Sequence, residues 1–172
     1  MKTTASITVL ATSLLLVGCG KQSALPSSTP STVAPVTQSV MTAWQQGDKT
    51  AAVAGFVETD WSARPLFASD SMLSLSEDEF KALFKALSNS ERQAKSSKMF
   101  QQIDSLRRLA AAVAQAGQDA AAKGDAAQAR KHLTSLREFG SAIDTSNSLA
   151  LLRLVGQAEK KRADREMSKL AP

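Results

Sequence analysis

Few residues in this sequence belong to types that carry covalent or acid–base chemistry. Cys19 is its only cysteine and His132 its only histidine, so no histidine pair is available for a metal ion. The chain also lacks the Gly-x-Ser-x-Gly, His-Glu-x-x-His and Ser-x-x-Lys patterns and a phosphate-binding glycine loop. His132 lies on an otherwise polar strip, which predicts an exposed helical position. We therefore expect no catalytic residue, no metal site and no cofactor, and we expect that the protein is not an enzyme.

The sole cysteine lies two residues after an apolar run near the N-terminus, Ile7–Val17, and this run follows Lys2. A basic residue and about 11 apolar residues are typical of a cleaved signal and fall short of the roughly 20 that span a bilayer. The tetrapeptide that closes the run resembles a bacterial lipobox: Leu16, Val17, Gly18 and Cys19. This resemblance implies that signal peptidase recognises the first three residues, removes residues 1–18 and leaves Cys19 acylated. The alternative is an ordinary secretory signal with an incidental cysteine.

The same resemblance predicts where the protein resides. Acylated Cys19 would hold the chain on membrane lipid in the cell envelope, since two or more acyl chains anchor stably. The mature chain would begin Cys19-Gly20-Lys21, without the aspartate that often retains lipoproteins in the inner membrane. In a Gram-negative cell this favours the periplasmic side of the outer membrane. The net charge of +5 is too modest to indicate a nucleic-acid partner.

Two regions follow the predicted signal. Residues 19–35 form a lipidated N-terminus and a flexible linker rich in Ser, Thr and Pro, with Pro26, Pro30 and Pro35 spaced through it. Residues 36–172 form one domain with helical apolar periodicity and no convincing strand. The sequence therefore predicts an all-α fold with about six helices after a cleaved signal and a disordered linker.

Turn and cap residues divide this domain. We expect helices on both sides of Gly47-Asp48 and a loop from Asp60 to Ser74. Ser76 and Glu79 predict a capping box for the third helix, and Ser90 and Gln93 offer one for a long fourth helix. We also expect a turn at Gly124-Asp125, a helix end near Phe139 closed by Gly140, and a last helix that begins near Ser146. Its charged stretch, Glu159 to Lys169, predicts a solvated face, and the alternative is a patch that contacts a membrane or a partner.

One segment, Gly117-x6-Gly124-Asp125-x3-Ala129-x3-Leu133, is similar to the centre of a tetratricopeptide-type helical hairpin. Its second half recurs as Gly47-Asp48-x3-Ala52-x3-Phe56. The resemblance implies antiparallel helical hairpins whose turns and close contacts depend on small residues: Gly47, Asp48, Ala52, Gly117, Gly124, Asp125 and Ala129. The two turns are not separated by a multiple of that family's period of about 34 residues. An irregular helical bundle with two hairpins is the alternative.

The functional hypotheses follow from this location and fold. Trp44, Trp61 and Phe67 are candidate partner contacts, because aromatic residues are enriched at recognition anchors. The alternative is that these aromatic side chains pack in the core of the bundle. The leading hypothesis is a membrane-anchored interaction scaffold or assembly factor that binds another envelope protein. The alternative is a structural or stress-related envelope lipoprotein that works by self-association, without a dedicated ligand groove. The sequence does not determine the oligomeric state or the identity of the partner.

Overall fold

The computed structural model describes residues 34–170 of the chain. This part is all-α and contains no strand, which confirms the predicted fold class. Its six α-helices are α1 (Gln38–Gln45), α2 (Lys49–Glu58), α3 (Glu77–Ala86), α4 (Asn89–Ala122), α5 (Ala126–Ile143) and α6 (Ala150–Met167), with a 3₁₀ turn at Met72–Ser74. The predicted signal, the Leu16–Cys19 motif and the linker up to residue 33 lie outside the described residues.

The repeated Gly-Asp motif forms the same turn twice. Gly47 has φ +82° and Gly124 has φ +79°, a left-handed conformation that glycine adopts without a steric cost. The following aspartates, Asp48 and Asp125, each accept a hydrogen bond at 2.9 Å from the backbone N–H three residues later. Each aspartate therefore caps the second helix of its hairpin, α2 or α5.

The C-terminal helices supply most of the core, and α5 packs against both α4 and α6. The 34 residues of α4 extend over about 51 Å. The crossing of α4 and α5 occurs at Gly117, where an added Cβ would lie 3.2 Å from Leu133 Cγ. Ala129, like Ala52 in the first hairpin, is fully buried.

His132 lies at this crossing and is only 8% exposed, so the prediction of an exposed position is wrong. A Cβ added at Gly117 would lie 3.3 Å from His132 Cβ, so glycine at this position lets α4 pack closely against α5 beside His132. Its Nδ1 lies 2.8 Å from the carbonyl oxygen of Gln128, one turn earlier in the same helix.

The prediction that Gly140 closes the fifth helix is also wrong, because α5 continues to Ile143. Gly140 instead faces Gly156 at the crossing of α5 and α6. A Cβ on Gly156 would lie 2.5 Å from the carbonyl oxygen of Gly140, and a Cβ on Gly140 would lie 2.7 Å from that of Gly156. Both positions need glycine because the two backbones touch.

The start of the third helix is confirmed, whereas the starts of the fourth and the last helix are shifted. Ser76 and Glu79 form the capping box of α3 as predicted. The box of α4 consists of Ser88 and Glu91 rather than Ser90 and Gln93, because α3 already ends at Ala86 and Ser88 is extended. The last helix begins at Ala150, since the chain first makes a turn in which the Ser148 N–H donates to the Thr145 carbonyl at 3.1 Å.

Across residues 34–170, no helix combines the length and the apolar character needed to cross a membrane.

Candidate binding groove

A groove with a volume of about 570 Å³ lies between α1, the segment after Leu66, and the middle of α4. Buried or half-buried apolar side chains contribute to its surface, namely Met41, Phe67, Leu73 and Leu106. Hydrogen-bonding side chains accompany them, namely Thr37, Gln38, Thr42, Gln45, Ser71, Gln101, Gln102 and Ser105. Lys98 is the one charged residue among the described residues that line it. The groove therefore offers apolar contact together with neutral donors and acceptors.

Hydrogen bonds between two backbone segments fix the N-terminal wall of the groove. Val36 N–H donates to the Pro65 carbonyl at 2.9 Å, and Thr37 N–H donates to the Leu66 carbonyl at 3.2 Å. The Thr37 hydroxyl donates to the same Leu66 oxygen at 2.6 Å, and Thr37 is only 6% exposed. These bonds hold the start of α1 beside Phe67, which follows Leu66 directly.

The opposite wall is tied to α4 through the 3₁₀ turn. Ser71 Oγ accepts a hydrogen bond from Leu73 N–H at 3.2 Å and lies 3.5 Å from Gln102 Oε1. Leu73 is buried in the core, so the turn cannot rotate away without exposing an apolar side chain. The groove is thus built from three segments that are fixed independently of any ligand.

The three predicted partner-contact aromatics are not brought together. Trp61 is 3% exposed, and its ring centroid lies 4.5 Å from that of Phe56 and 4.9 Å from that of Phe139. Its indole N–H donates to the Phe56 carbonyl at 3.2 Å and to Ser135 Oγ at 3.1 Å. Trp61 therefore belongs to the core. Phe67 lines the groove, whereas Trp44 is half-buried against the core and is not among the groove residues.

A second depression, of about 620 Å³, lies between the loop that contains Asp60 and Arg64 and the outer face of α5. Both of its arginines already have partners: Arg64 donates to three carbonyl groups of its own loop, and Arg137 Nε lies 3.2 Å from Asp164 Oδ1. A ligand would have to replace these contacts, so the first groove is the better candidate.

The charged stretch of α6 is only partly a solvated face. Glu159 is 4% exposed and Glu166 is 6% exposed, which corrects the prediction for these two residues. Burial raises the pKa of Glu159, although Arg162 Nη1 lies 3.1 Å from its carboxylate. By contrast, a hydrogen bond from Lys169 at 2.7 Å lowers the pKa of Glu166. The run was expected to be exposed because its charges alternate, but two of its carboxylates face the neighbouring helices.

The groove residues of α1 and α4 were not identified from the sequence, although a signal exists. Gln38, Thr42 and Gln45 are spaced by four and three residues, and Lys98, Gln101, Gln102 and Ser105 follow the same helical spacing. Each set is a polar stripe, neutral in α1 and carrying the single charge of Lys98 in α4, beside the apolar stripe of its helix. Only the tertiary packing of α1 near α4 shows that the two stripes face one groove.

Within residues 34–170, no group of three or more histidine, cysteine or acidic side chains is placed to hold a metal ion. Comparison of the chain with protein-family models, with curated proteins and with solved structures finds no match.

Proposed function

We propose that this protein is a lipid-anchored scaffold of the bacterial cell envelope that binds an extended, uncharged segment of another envelope protein. The anchor is acylated Cys19, which rests on the resemblance of its motif to a lipobox. The binding site is the groove between α1, Phe67 and α4. The groove is the single observation that carries the proposal, since it is preformed and is lined by neutral hydrogen-bonding groups around apolar side chains.

The composition of the groove decides what kind of ligand it suits. An extended peptide presents unpaired backbone N–H and C=O groups, and a glutamine side chain both donates and accepts. Gln38, Gln45 and Gln101 are exposed and can pair with such groups, while Met41 and Phe67 contact apolar side chains. A charged ligand would be desolvated next to a surface whose described lining carries a single charge, that of Lys98. The volume is within the usual range of roughly 300–1,000 Å³ for ligand sites.

Self-association as a structural lipoprotein is the second candidate, and one observation favours it. Phe100 is 56% exposed and Leu154 is 62% exposed, and these are the large apolar side chains left exposed among the described residues. Contact between copies would cover them. This function does not use the groove, so the two candidates predict different crosslinks.

Site-specific photocrosslinking in the native envelope tests the proposal. A benzophenone side chain replaces Gln101 in the groove, and a matched control replaces Gln115, which is exposed farther along α4. We expect Gln101, and not Gln115, to capture one partner protein, with several-fold less capture when Phe67→Ala is added. Capture only of a second copy would support self-association instead, and equal capture from both positions would overturn the proposal.

The anchor is tested separately with Cys19→Ser in the same strain. We expect this variant to lose incorporation of labelled fatty acid and to leave the membrane fraction. Retained labelling would contradict the assignment of Cys19 as the acylated residue.

A further inference from the structure

We infer that the outer face of α6 contacts an anionic lipid surface. This face consists of Arg153, Leu154, Ala158, Lys161 and Arg165, all of which are exposed. None of them lines the groove, so the contact goes beyond the proposed function and does not involve its partner. The inference rests on the proposed lipid anchor only for bringing the domain close to a membrane.

The five residues share one side of the helix because of their spacing. Ala158, Lys161 and Arg165 follow Leu154 at intervals of four, three and four residues, which places them in one row. Arg153 borders this row next to Leu154. The opposite side of α6 faces the protein and is formed by its buried residues, namely Leu152, Val155, Gly156, Glu159, Ala163 and Glu166. Leu154 is 62% exposed, so the fold leaves a large apolar side chain uncovered among basic ones.

The fold makes this face more positive than the sequence of α6 indicates. Two of the three acidic residues of the helix, Glu159 and Glu166, are buried on its inner side. The third, Asp164, forms an ion pair at 3.2 Å with an arginine of α5. Arg153 and Lys161 are exposed, and neither forms an ion pair with an acidic side chain of residues 34–170. The outer face is therefore positively charged.

Charge and shape favour lipid as the occupant of this face. Arginine and lysine bind phosphate groups, which phospholipid headgroups contain, and anionic headgroups add a net attraction. A helix that lies in the plane of a membrane combines apolar and basic side chains, because the apolar ones enter the headgroup region while the long basic ones reach the phosphates. Neither of the two depressions described above includes a residue of α6. A fluid lipid surface adapts to such a convex face, whereas a protein partner would need a matching groove.

Photocrosslinking to lipid tests the contact. The chain purified from the envelope is reconstituted into vesicles of phosphatidylcholine, with or without anionic phosphatidylglycerol. A benzophenone side chain replaces Ala158, and the matched control replaces Ala54, an exposed alanine of α2, which packs against α1, α4 and α5. We expect mass spectrometry to find several-fold more phospholipid attached at Ala158 than at Ala54 in the anionic vesicles, and less of it at high salt. Equal attachment from both positions, or attachment that anionic lipid does not increase, overturns the inference.

Charge reversal separates this face from the overall charge of the protein. Arg153→Glu combined with Lys161→Glu should reduce lipid attachment at Ala158 several-fold. The matched control combines Lys49→Glu with Lys85→Glu, two exposed lysines of α2 and α3, and gives the same net charge. We expect the control to retain lipid attachment, with circular dichroism confirming that both variants are folded. An equal reduction by both variants would show that net charge alone attracts the membrane, and the inference would be wrong.

Other occupants of the face would give different products. Attachment of Ala158 to a second copy of the chain, or in the native envelope only to another protein, overturns the inference. A chain that stays on both kinds of vesicle without lipid attachment at Ala158 retains the proposed anchor and overturns the contact. Lipid attachment at Ala158 in anionic vesicles by a chain that leaves neutral vesicles supports the contact and overturns the proposed anchor.

Discussion

Two carboxylates of α6 have pKa values shifted in opposite directions although both belong to glutamate side chains. Glu159 and Glu166 are seven positions apart, so they lie on the same side of the helix, and both are buried. Glu166 accepts hydrogen bonds from Lys169 and Arg165, which favour its ionised form. Glu159 has Arg162 and Arg107 nearby, but burial outweighs their attraction and its pKa rises. The two residues therefore make opposite contributions to the pH dependence of stability.

The substitution Glu159→Gln tests whether ionisation of Glu159 lowers the stability of the fold. A raised folded-state pKa means that the folded protein binds this proton more tightly than the unfolded chain does. Stability is therefore lost as pH rises through the window that opens at the unfolded pKa and closes at the folded pKa. A neutral amide escapes this loss, so we expect Glu159→Gln to raise the free energy of unfolding at neutral pH by about 1 kcal/mol. The gain should shrink near pH ~4, where the wild-type carboxyl is also protonated.

Urea unfolding of both proteins at the two pH values measures this difference. Glu166→Gln is the matched control, because its pKa is lowered and its ionised form stabilises the fold. We expect the control to lose stability at neutral pH. A loss in Glu159→Gln as large as in the control would show that the ion pair with Arg162 outweighs burial.

The helices and their turns were largely predictable because their signals are local. A Gly-Asp turn depends only on the positive φ of the glycine and on the hydrogen bond that the aspartate accepts from the first turn of the next helix. Both hairpin turns could therefore be recognised from a few neighbouring residues. The role of Gly140 was not found, because a glycine near the end of a helix is equally compatible with a cap and with a crossing. Gly140 is required because it packs against Gly156, sixteen residues later. A pattern of neighbouring residues does not reveal that contact.

The crossing of α5 and α6 provides the prediction at this scale. A Cβ on Gly156 would meet the Gly140 carbonyl oxygen at 2.5 Å, so Gly156→Ala must force the helices apart. Overpacking of this kind costs about 1–3 kcal/mol, which exceeds the gain of up to about 1 kcal/mol from helix propensity. We expect a melting temperature several degrees lower.

Gly55→Ala is the matched control in another helix. Its Cβ would lie at an ordinary distance of 3.5 Å from Val40 Cγ2, so only the propensity gain remains. We expect this variant to melt at the same temperature as the wild type or higher, as measured by circular dichroism. Equal destabilisation by both substitutions would mean that the α5 and α6 backbones do not depend on their close contact.

Across residues 34–170, the aromatic cluster of the core is separate from the groove, although the groove shares the buried side chains of Leu73 and Leu106 with the core. Trp61, Phe56 and Phe139 form an aromatic cluster within the core, and Ser135 satisfies the indole N–H there. The groove was not predictable to the same degree, because its surface combines three segments that are distant in sequence. Of the predicted aromatic contacts, only Phe67 lies in it.

This separation predicts that stability and binding respond to different substitutions. Trp61→Ala removes a buried ring and should cost about 3–5 kcal/mol, a large share of the stability of a typical domain. Phe67→Ala removes a half-buried ring at the groove and should cost about 1 kcal/mol, roughly half the transfer free energy of a fully buried ring, while reducing partner capture at Gln101 several-fold. Because Trp61→Ala could unfold the protein, Trp61→Phe serves as a milder variant that keeps a ring in the cluster.

Urea unfolding followed by circular dichroism, together with crosslinking from Gln101 well below each melting temperature, separates the two roles. We expect Trp61→Phe to lower the unfolding midpoint and to leave capture unchanged, because Trp61 is 3% exposed and a partner bound in the groove does not touch it. We expect Phe67→Ala to lower the unfolding midpoint only slightly and to reduce capture several-fold. If Trp61→Phe reduced capture as much as Phe67→Ala while its midpoint stayed at the wild-type value, the partner would have to contact the indole. Binding would then require the core to open around Trp61, and the groove would not be the recognition surface.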